Sequence, residues 1–185
     1  GDLEIAVAQR EATIAELAAL KQSGTLSETL RMQAMARLPD GSDTQLVELK
    51  GVDGAYPLYG NFTLENGQRV SAPGPQEIYV TPALMQRLAL TSGDQIDFGE
   101  ARFTVSGIIA EEPDRLSEGL SLGPVAITSL EGLRATKLIQ PGSLFESKYR
   151  LKLPETAVPR ETGGRLSEQF PNASWEVKTR DDGAP

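Results

Sequence analysis

The sequence predicts an α+β fold in which two β-α-β units flank an inserted, mostly-β segment. Residues 1–54 have the pattern strand, helix, strand, strand, and residues 140–185 have the pattern strand, helix, strand. Between them, Gly and Pro residues interrupt the chain often, and the predicted elements are short. We therefore expect one lobe built from 1–54 and 140–185, with a small β-rich lobe from 55–139 inserted into it.

The first unit begins with "DLEIAV", whose apolar residues alternate as in a half-buried strand. A helix should start after Thr13, because Thr13 and Glu16 match a capping box, and Gly24 stands where a C′ glycine would end it. Two strands, 26–38 and 45–52, should follow around a turn at 39–43. The residues of the helix with helical spacing are Ile14, Leu17, Ala18 and Lys21.

The inserted segment contains a clear hairpin, with strands 95–98 and 102–109, and a short helix that begins after Thr81. In the second unit a strand at 144–153 precedes a helix that Gly163 and Gly164 should interrupt. Two such units predict a split β-α-β, ferredoxin-like sheet with helices on one face. In that topology the first strand enters and the last strand leaves at the same edge of the sheet.

Composition excludes several classes of function. The net charge of −8 argues against a sequence-independent nucleic-acid binder and against binding an anionic lipid surface by charge. The sequence contains no His and no Cys, so it lacks imidazole relays, thiolate nucleophiles and the usual zinc ligands. We therefore expect no catalytic residue, no cofactor and no metal site, and no nucleic-acid partner.

Carboxylates are the remaining candidates for catalysis. They cluster at Glu111, Glu112 and Asp114, and again at Asp181 and Asp182. A pair of catalytic acids must face one cleft, whereas neighbouring residues on a strand point to opposite faces. We interpret both clusters as solvated acidic loops, and a carboxylate-dependent hydrolase stays an alternative.

An unusual run, Tyr56, Pro57, Leu58, Tyr59 and Gly60, follows the third predicted strand. Its tyrosines could stack on a ligand, or they could cover the seam between the two lobes with their rings buried and their hydroxyls hydrogen-bonded. We favour the second interpretation, in which the run is the lobe junction.

Two methionines, Met32 and Met35, could line a soft apolar surface for a lipid-like ligand. Strand spacing puts them on opposite faces, so at least one of them should belong to the core.

Three stretches resemble a known family. The run "SETLRMQAMARLPDGSDTQLVELKGVDGAYPLYGNFTL" and the stretch "VTPALMQRLALTSGDQIDFGEARFTVSGIIAEEPD" resemble the extracytoplasmic domain of FtsX/MacB-type ABC transporter permeases, on their YbbP-like branch. "GDLEIAV" is similar to the exit from the first membrane helix of such proteins. The resemblance covers nearly the whole chain, and Tyr-Pro-Leu-x-Gly is its most specific part.

This resemblance implies a non-catalytic periplasmic domain of an inner-membrane permease, with a membrane-proximal, porter-like lobe. Its partners would be the flanking transmembrane helices, a separate cytoplasmic ATP-binding subunit, a hydrophobic or lipid-like substrate and, in addition, a periplasmic protein. Such a domain would couple ATP hydrolysis to the movement or extraction of the substrate, which is termed mechanotransmission. A stand-alone interaction or scaffolding module of the envelope stays open as the alternative.

Overall fold

The computed structural model describes residues 2–113 and 123–180, and this part of the chain forms ten strands and four helices. The strands are β1 (Leu3–Ala8), β2 (Thr25–Arg37), β3 (Thr44–Val52), β4 (Thr63–Leu64), β5 (Glu77–Val80), β6 (Gln95–Phe98), β7 (Ala101–Glu111), β8 (Val125–Ser129), β9 (Phe145–Lys152) and β10 (Glu176–Thr179). The helices are α1 (Ile14–Ser23), α2 (Pro82–Arg87), α3 (Leu130–Ala135) and α4 (Pro159–Gln169).

The predicted split β-α-β sheet is confirmed. Strands β10, β1, β9 and β2 lie in that order and pair antiparallel, with α1 connecting β1 to β2 and α4 connecting β9 to β10. The first and last strands are neighbours, and Leu3 lies opposite Thr179. Both helices cover one face, where apolar residues of β1 and β9 pack with Leu20 and Leu166. The chain therefore enters and leaves this sheet at one end.

A second architectural unit shares strands with the first. Strands β2, β3, β8, β5, β7 and β6 form a ring, which β6 closes by pairing with β2 where Arg37 lies opposite Asp97. The largest hydrophobic cluster fills this ring and includes Val47, Ile78 and Phe103. Strands β2 and β3 thus belong to both the ferredoxin-like sheet and the ring, and a lobe boundary at residues 54 and 55 stays a prediction.

The predicted capping box of α1 is present. The hydroxyl of Thr13 accepts a hydrogen bond from the Glu16 amide at 3.1 Å, and Glu16 Oε1 accepts one from the Thr13 amide at 2.7 Å. The expectation for Gly24 was wrong, because its φ of 172° is extended backbone rather than a left-handed cap. The chain passes directly from α1 into β2 without the reversal that such a cap makes.

The apolar spacing expected for α1 was wrong in part, although Leu17 packs on the sheet as expected. Ile14, expected on the apolar stripe, is 89% exposed, whereas Ala19 and Leu20 are buried. The sequence misleads here because α1 is apolar on more than one side, and only the face towards β1 and β9 packs on the sheet.

The expected interruption of α4 was wrong too, since the helix runs without a break through Gly163 and Gly164. A Cβ atom at Gly163 would lie 3.1 Å from Val177 Cγ1 and 3.2 Å from Leu3 Cδ1. The missing side chain therefore lets α4 approach β1 and β10. No helix in residues 2–113 and 123–180 has both the length and the apolar character needed to cross a membrane.

Candidate functional site

The Tyr-Pro-Leu-Tyr-Gly run is anchored where it leaves β3. The carboxylate of Asp53 accepts hydrogen bonds from the Ser27 hydroxyl at 2.9 Å and the Glu28 amide at 2.7 Å, both on β2. It also accepts one from the Ala55 amide at 3.1 Å. One aspartate thus ties the start of the run to β2.

Tyr56 points into the protein, and the peptide bond between it and Pro57 is cis. The side chain is 3% exposed, and its ring meets Phe62 edge to face with the centroids 5.6 Å apart. Both rings belong to a hydrophobic cluster that includes Val52 of β3 and Ile109 of β7. The ring therefore packs between β3 and β7, where it occupies core rather than a surface groove.

The hydroxyl of Tyr56 donates a hydrogen bond of 2.5 Å to Glu112 Oε1. The same oxygen accepts a hydrogen bond from Lys50 Nζ at 2.8 Å, in an ion pair whose two side chains are both buried. The other oxygen, Oε2, is buried and has no hydrogen-bond partner. Two donors, one from β3 and one from the run, therefore converge on the carboxylate of the residue that follows β7.

This geometry corrects the expectation that Glu112 belongs to a solvated loop. Glu111 is exposed, as predicted, but strand alternation turns Glu112 inwards, where it is 3% exposed. Burying a carboxylate is costly unless a cation and hydrogen bonds compensate it, and Lys50 supplies the cation. Asp114, Asp181 and Asp182 lie outside the described residues.

Tyr59 points the other way and is 42% exposed. Its hydroxyl donates to Asp2 Oδ2 at 3.2 Å, and Lys152 Nζ lies 6.0 Å from the centroid of its ring. Partial burial and then the charge of Asp2 raise the pKa of Tyr59. Asp2 Oδ2 also accepts a hydrogen bond from the Leu153 amide at 2.9 Å. The run therefore contacts the ferredoxin-like sheet where β1 begins and β9 ends.

The remaining residues of the run shape its path. Pro57 and Leu58 are half-buried, and Gly60 adopts a φ of +79°. A Cβ atom at Gly60 would lie 2.8 Å from Pro113 Cβ. The run is thus held at Tyr56, Tyr59 and Gly60, which supports its role as a junction; that role stays a prediction.

The structure does not bring the two methionines together. Met32 is half-buried and packs on the core of the ring, whereas Met35 is 43% exposed. Met35 lies directly opposite Leu46 of β3, which is 52% exposed. Sequence reasoning missed Leu46, although the turn at 39–43 pairs the two strands in this register.

A row of charges crosses β1, β9, β2 and β3 on the face opposite α1 and α4, and sequence reasoning missed it. Its ion pairs, with N–O distances of 3.1–3.7 Å, run in the order Arg150, Glu4, Lys148, Glu146, Arg31 and Glu48. The alternating signs neutralise this face, which explains how a sheet surface can carry six charged side chains close together. Within the described ranges 2–113 and 123–180, no group of three or more Asp and Glu side chains could hold a metal ion.

No family model matches the chain. In sequence it is 29% identical over 144 residues to an uncharacterized ABC transporter permease, YbbP, of Escherichia coli (strain K12). The match covers 78% of this chain and 18% of that permease, so the chain spans less than a fifth of its relative's length.

Solved structures share the fold at low sequence identity. The periplasmic region of MacB from Actinobacillus actinomycetemcomitans superposes with a TM-score of 0.61 at 10% identity, covering 97% of this chain and 89% of that one. The extracellular domain of the noncanonic ABC-type transporter YknZ from Gram-positive bacteria gives 0.65 at 10% identity, covering 96% and 100%. A domain of a putative permease from Porphyromonas gingivalis gives 0.61 at 12% identity, covering 100% and 93%. The chain is therefore similar in sequence to part of an ABC transporter permease, and it shares its fold with the extracytoplasmic domains of MacB and YknZ.

Proposed function

We propose that the chain is the non-catalytic periplasmic part of an inner-membrane permease, held between transmembrane helices of the same protein. A separate cytoplasmic subunit would bind and hydrolyse ATP. The observation that carries this proposal is the pairing of the first and last strands, with Leu3 opposite Thr179. A domain attached at one end through adjacent strands would receive any relative displacement of two membrane spans directly in its sheet.

The sheet supplies a path for that displacement. From β1 and β10, hydrogen-bonded strands continue through β9 to β2 and β3, which are part of the ring. A shorter path runs from Asp2 through Tyr59 into the run, because the two side chains are hydrogen-bonded. We expect movement at the membrane end to reach the ring by both paths, which is the coupling that mechanotransmission requires.

The substrate we propose is a lipid or another hydrophobic molecule at the outer face of the inner membrane. Met35 and Leu46 support this choice, because they form an exposed apolar pair at the end of the β2–β3 hairpin. Isolated exposed apolar residues are common, but a cross-strand pair provides a continuous surface for an acyl chain or an apolar partner.

Spin labels can test the coupling in the assembled transporter. The chain has no Cys, so Glu65→Cys and Glu176→Cys would be its only cysteines, in the loop after β4 and in β10, once any cysteines elsewhere in the permease are replaced. Both residues are exposed. We expect the label-to-label distance in the full permease, with its ATP-binding subunit, to differ between the nucleotide-free and ATP-bound states. Identical distance distributions in both states would overturn the coupling.

Lipid handling is tested separately. The full permease and its ATP-binding subunit would be reconstituted in phosphatidylethanolamine–phosphatidylglycerol vesicles that contain a fluorescent phospholipid. ATP-dependent loss of the phospholipid from the vesicles is expected, and the Met35→Ser, Leu46→Ser double variant should reduce it. Thr44→Ser, at an exposed position of the same hairpin, is the control. Transport unchanged by the double variant would remove these side chains from the substrate path.

A further inference from the structure

We infer that Glu112 is a releasable latch, which holds the Tyr56–Gly60 run and the end of β7 against β3. The inference deepens the proposed function and rests on it, because that function gives the release a purpose. A domain that transmits motion needs an element with two arrangements. The latch consists of the side chains of Lys50, Tyr56 and Glu112.

The latch joins three separate parts of the chain at a single atom. Glu112 Oε1 accepts hydrogen bonds from Lys50 Nζ of β3 and from the hydroxyl of Tyr56, and all three residues are at most 3% exposed. Lys50 is 62 positions from Glu112 along the chain, and Tyr56 is 56. Separating the run or the end of β7 from β3 would therefore break a charge-assisted hydrogen bond, the strongest kind in a protein interior.

Contacts of the run beside the latch give the closed arrangement a defined shape. Pro113 follows Glu112 directly and lies against Gly60 at the end of the run. At the start of the run, the Ser71 hydroxyl donates to the carbonyl oxygens of Tyr56 at 2.6 Å and Gly54 at 3.1 Å. The run is thus held at both ends. The latch holds it between them, through the buried side chain of Tyr56.

Energetics make the latch releasable. Buried ion pairs contribute little net stability, because the loss of hydration offsets much of the attraction between the charges. The second oxygen of Glu112 adds to this cost, since it is buried without a hydrogen-bond partner. Opening would hydrate that oxygen and the charges of Glu112 and Lys50. The closed arrangement therefore has a defined geometry. It lacks the hydration of these polar groups, and opening would recover that favourable free energy.

Hydrogen exchange of the chain, resolved by segment, tests the latch. Glu112→Gln preserves the shape of the side chain and removes its charge, so we expect amides of residues 53–60 to exchange about tenfold faster than in the unsubstituted chain. Amides of α1 and α4, which pack in a different cluster, should keep their rates. Asp97→Asn, which breaks the ion pair with Arg102 on the β6–β7 hairpin, is the matched control and should leave residues 53–60 unchanged.

A second variant tests release separately and serves if Glu112→Gln does not fold. The Lys50→Met, Glu112→Leu double variant replaces the ion pair with apolar side chains, which gain nothing from hydration on opening. Residues 53–60 should then exchange more slowly than in the unsubstituted chain.

Two results for Glu112→Gln would overturn the latch. One is an equal rise in the exchange rates of α1, α4 and the run, and the other is an unchanged exchange rate in the run. Exchange in the double variant as fast as in the unsubstituted chain, or faster, would overturn its release. None of these outcomes would affect the permease role, which the spin-label distances of the assembled transporter test independently.

Discussion

Gly60 and Pro113 approach each other so closely that a Cβ atom at Gly60 would lie 2.8 Å from Pro113 Cβ. Real Cβ atoms are essentially never found at such a distance. The contact joins the end of the Tyr-Pro-Leu-Tyr-Gly run to the residue after Glu112. A side chain at position 60 must therefore displace one of the two segments.

Gly60→Ala should lower the free energy of unfolding by more than the roughly 1 kcal/mol that a left-handed backbone alone costs an alanine. Gly41→Ala is the matched control, because Gly41 has a similar φ of +75° and no atom within 4 Å of a Cβ there. Urea unfolding of both variants measures the difference. Equal losses at the two positions would mean that the approach of Pro113 does not constrain the run.

The two tyrosines of the run should respond differently to the same chemical change. Tyr56→Phe removes a buried hydrogen-bond donor from Glu112 and should cost about 1–3 kcal/mol of unfolding free energy. Tyr59→Phe removes a longer hydrogen bond from a half-exposed residue and should cost less than about 0.5 kcal/mol. Thermal or urea unfolding compares them, and a larger loss of unfolding free energy for Tyr59→Phe would contradict the assignment of Tyr56 as the buried residue that holds the run.

Acid should weaken the attachment of α1 through Glu16. The hydrogen bond from Arg10, followed by those from Thr13, holds the pKa of the Glu16 carboxyl below its usual range. A carboxyl whose pKa is lowered by folding stabilises the protein above the unfolded pKa, near 4.3, and loses that contribution as the pH falls through the folded value. In the Glu16→Gln variant, the urea concentration at the unfolding midpoint should therefore fall less between about pH 5 and pH 3 than in the unsubstituted chain.

Glu168→Gln, which removes one exposed carboxyl from α4, is the control for this pH series. If both variants keep the same slope as the unsubstituted chain, the Arg10–Glu16 pair does not contribute to acid stability.

Alanine should stabilise α4 more at Gly164 than at the neighbouring Gly163. At Gly164 no atom lies within 4 Å of a Cβ, so Gly164→Ala should stabilise the helix by about 0.5–1 kcal/mol through its propensity. At Gly163 the same substitution brings a methyl group against Val177 and Leu3, which offsets that gain. Calorimetric melting compares the two variants, and the prediction fails if Gly163→Ala is the more stable.

Local patterns were sufficient to predict half of this architecture. The alternation of apolar residues in β1, β2 and β9, together with the capping box at Thr13 and Glu16, predicts the split β-α-β sheet, because each signal lies within one element. Closure of the ring was not predictable in this way. It depends on the pairing of Arg37 with Asp97, and nothing near either residue indicates which distant strand it will meet.

The candidate site was missed for the same reason. The run was identified by its composition, but Glu112 was interpreted as solvated because it lies in a cluster of carboxylates with Glu111 and Asp114. Its partner Lys50 is 62 positions away and lies on β3 between residues that are also buried. A lysine in an otherwise buried strand was the signal, since burial of such a charge requires an acidic partner.

Strand β2 has 13 residues and spans roughly 40 Å. Its first half pairs with β9 in the ferredoxin-like sheet, and its second half closes the ring with β6. Residues 55–139 alone would therefore lack two of the six strands of the ring and would expose Ile78 and Phe103, which pack in the core of the ring, to water. The inserted segment cannot complete the core of the ring without β2 and β3, so we expect the chain to fold as one cooperative unit and to resist dissection at residues 54 and 55.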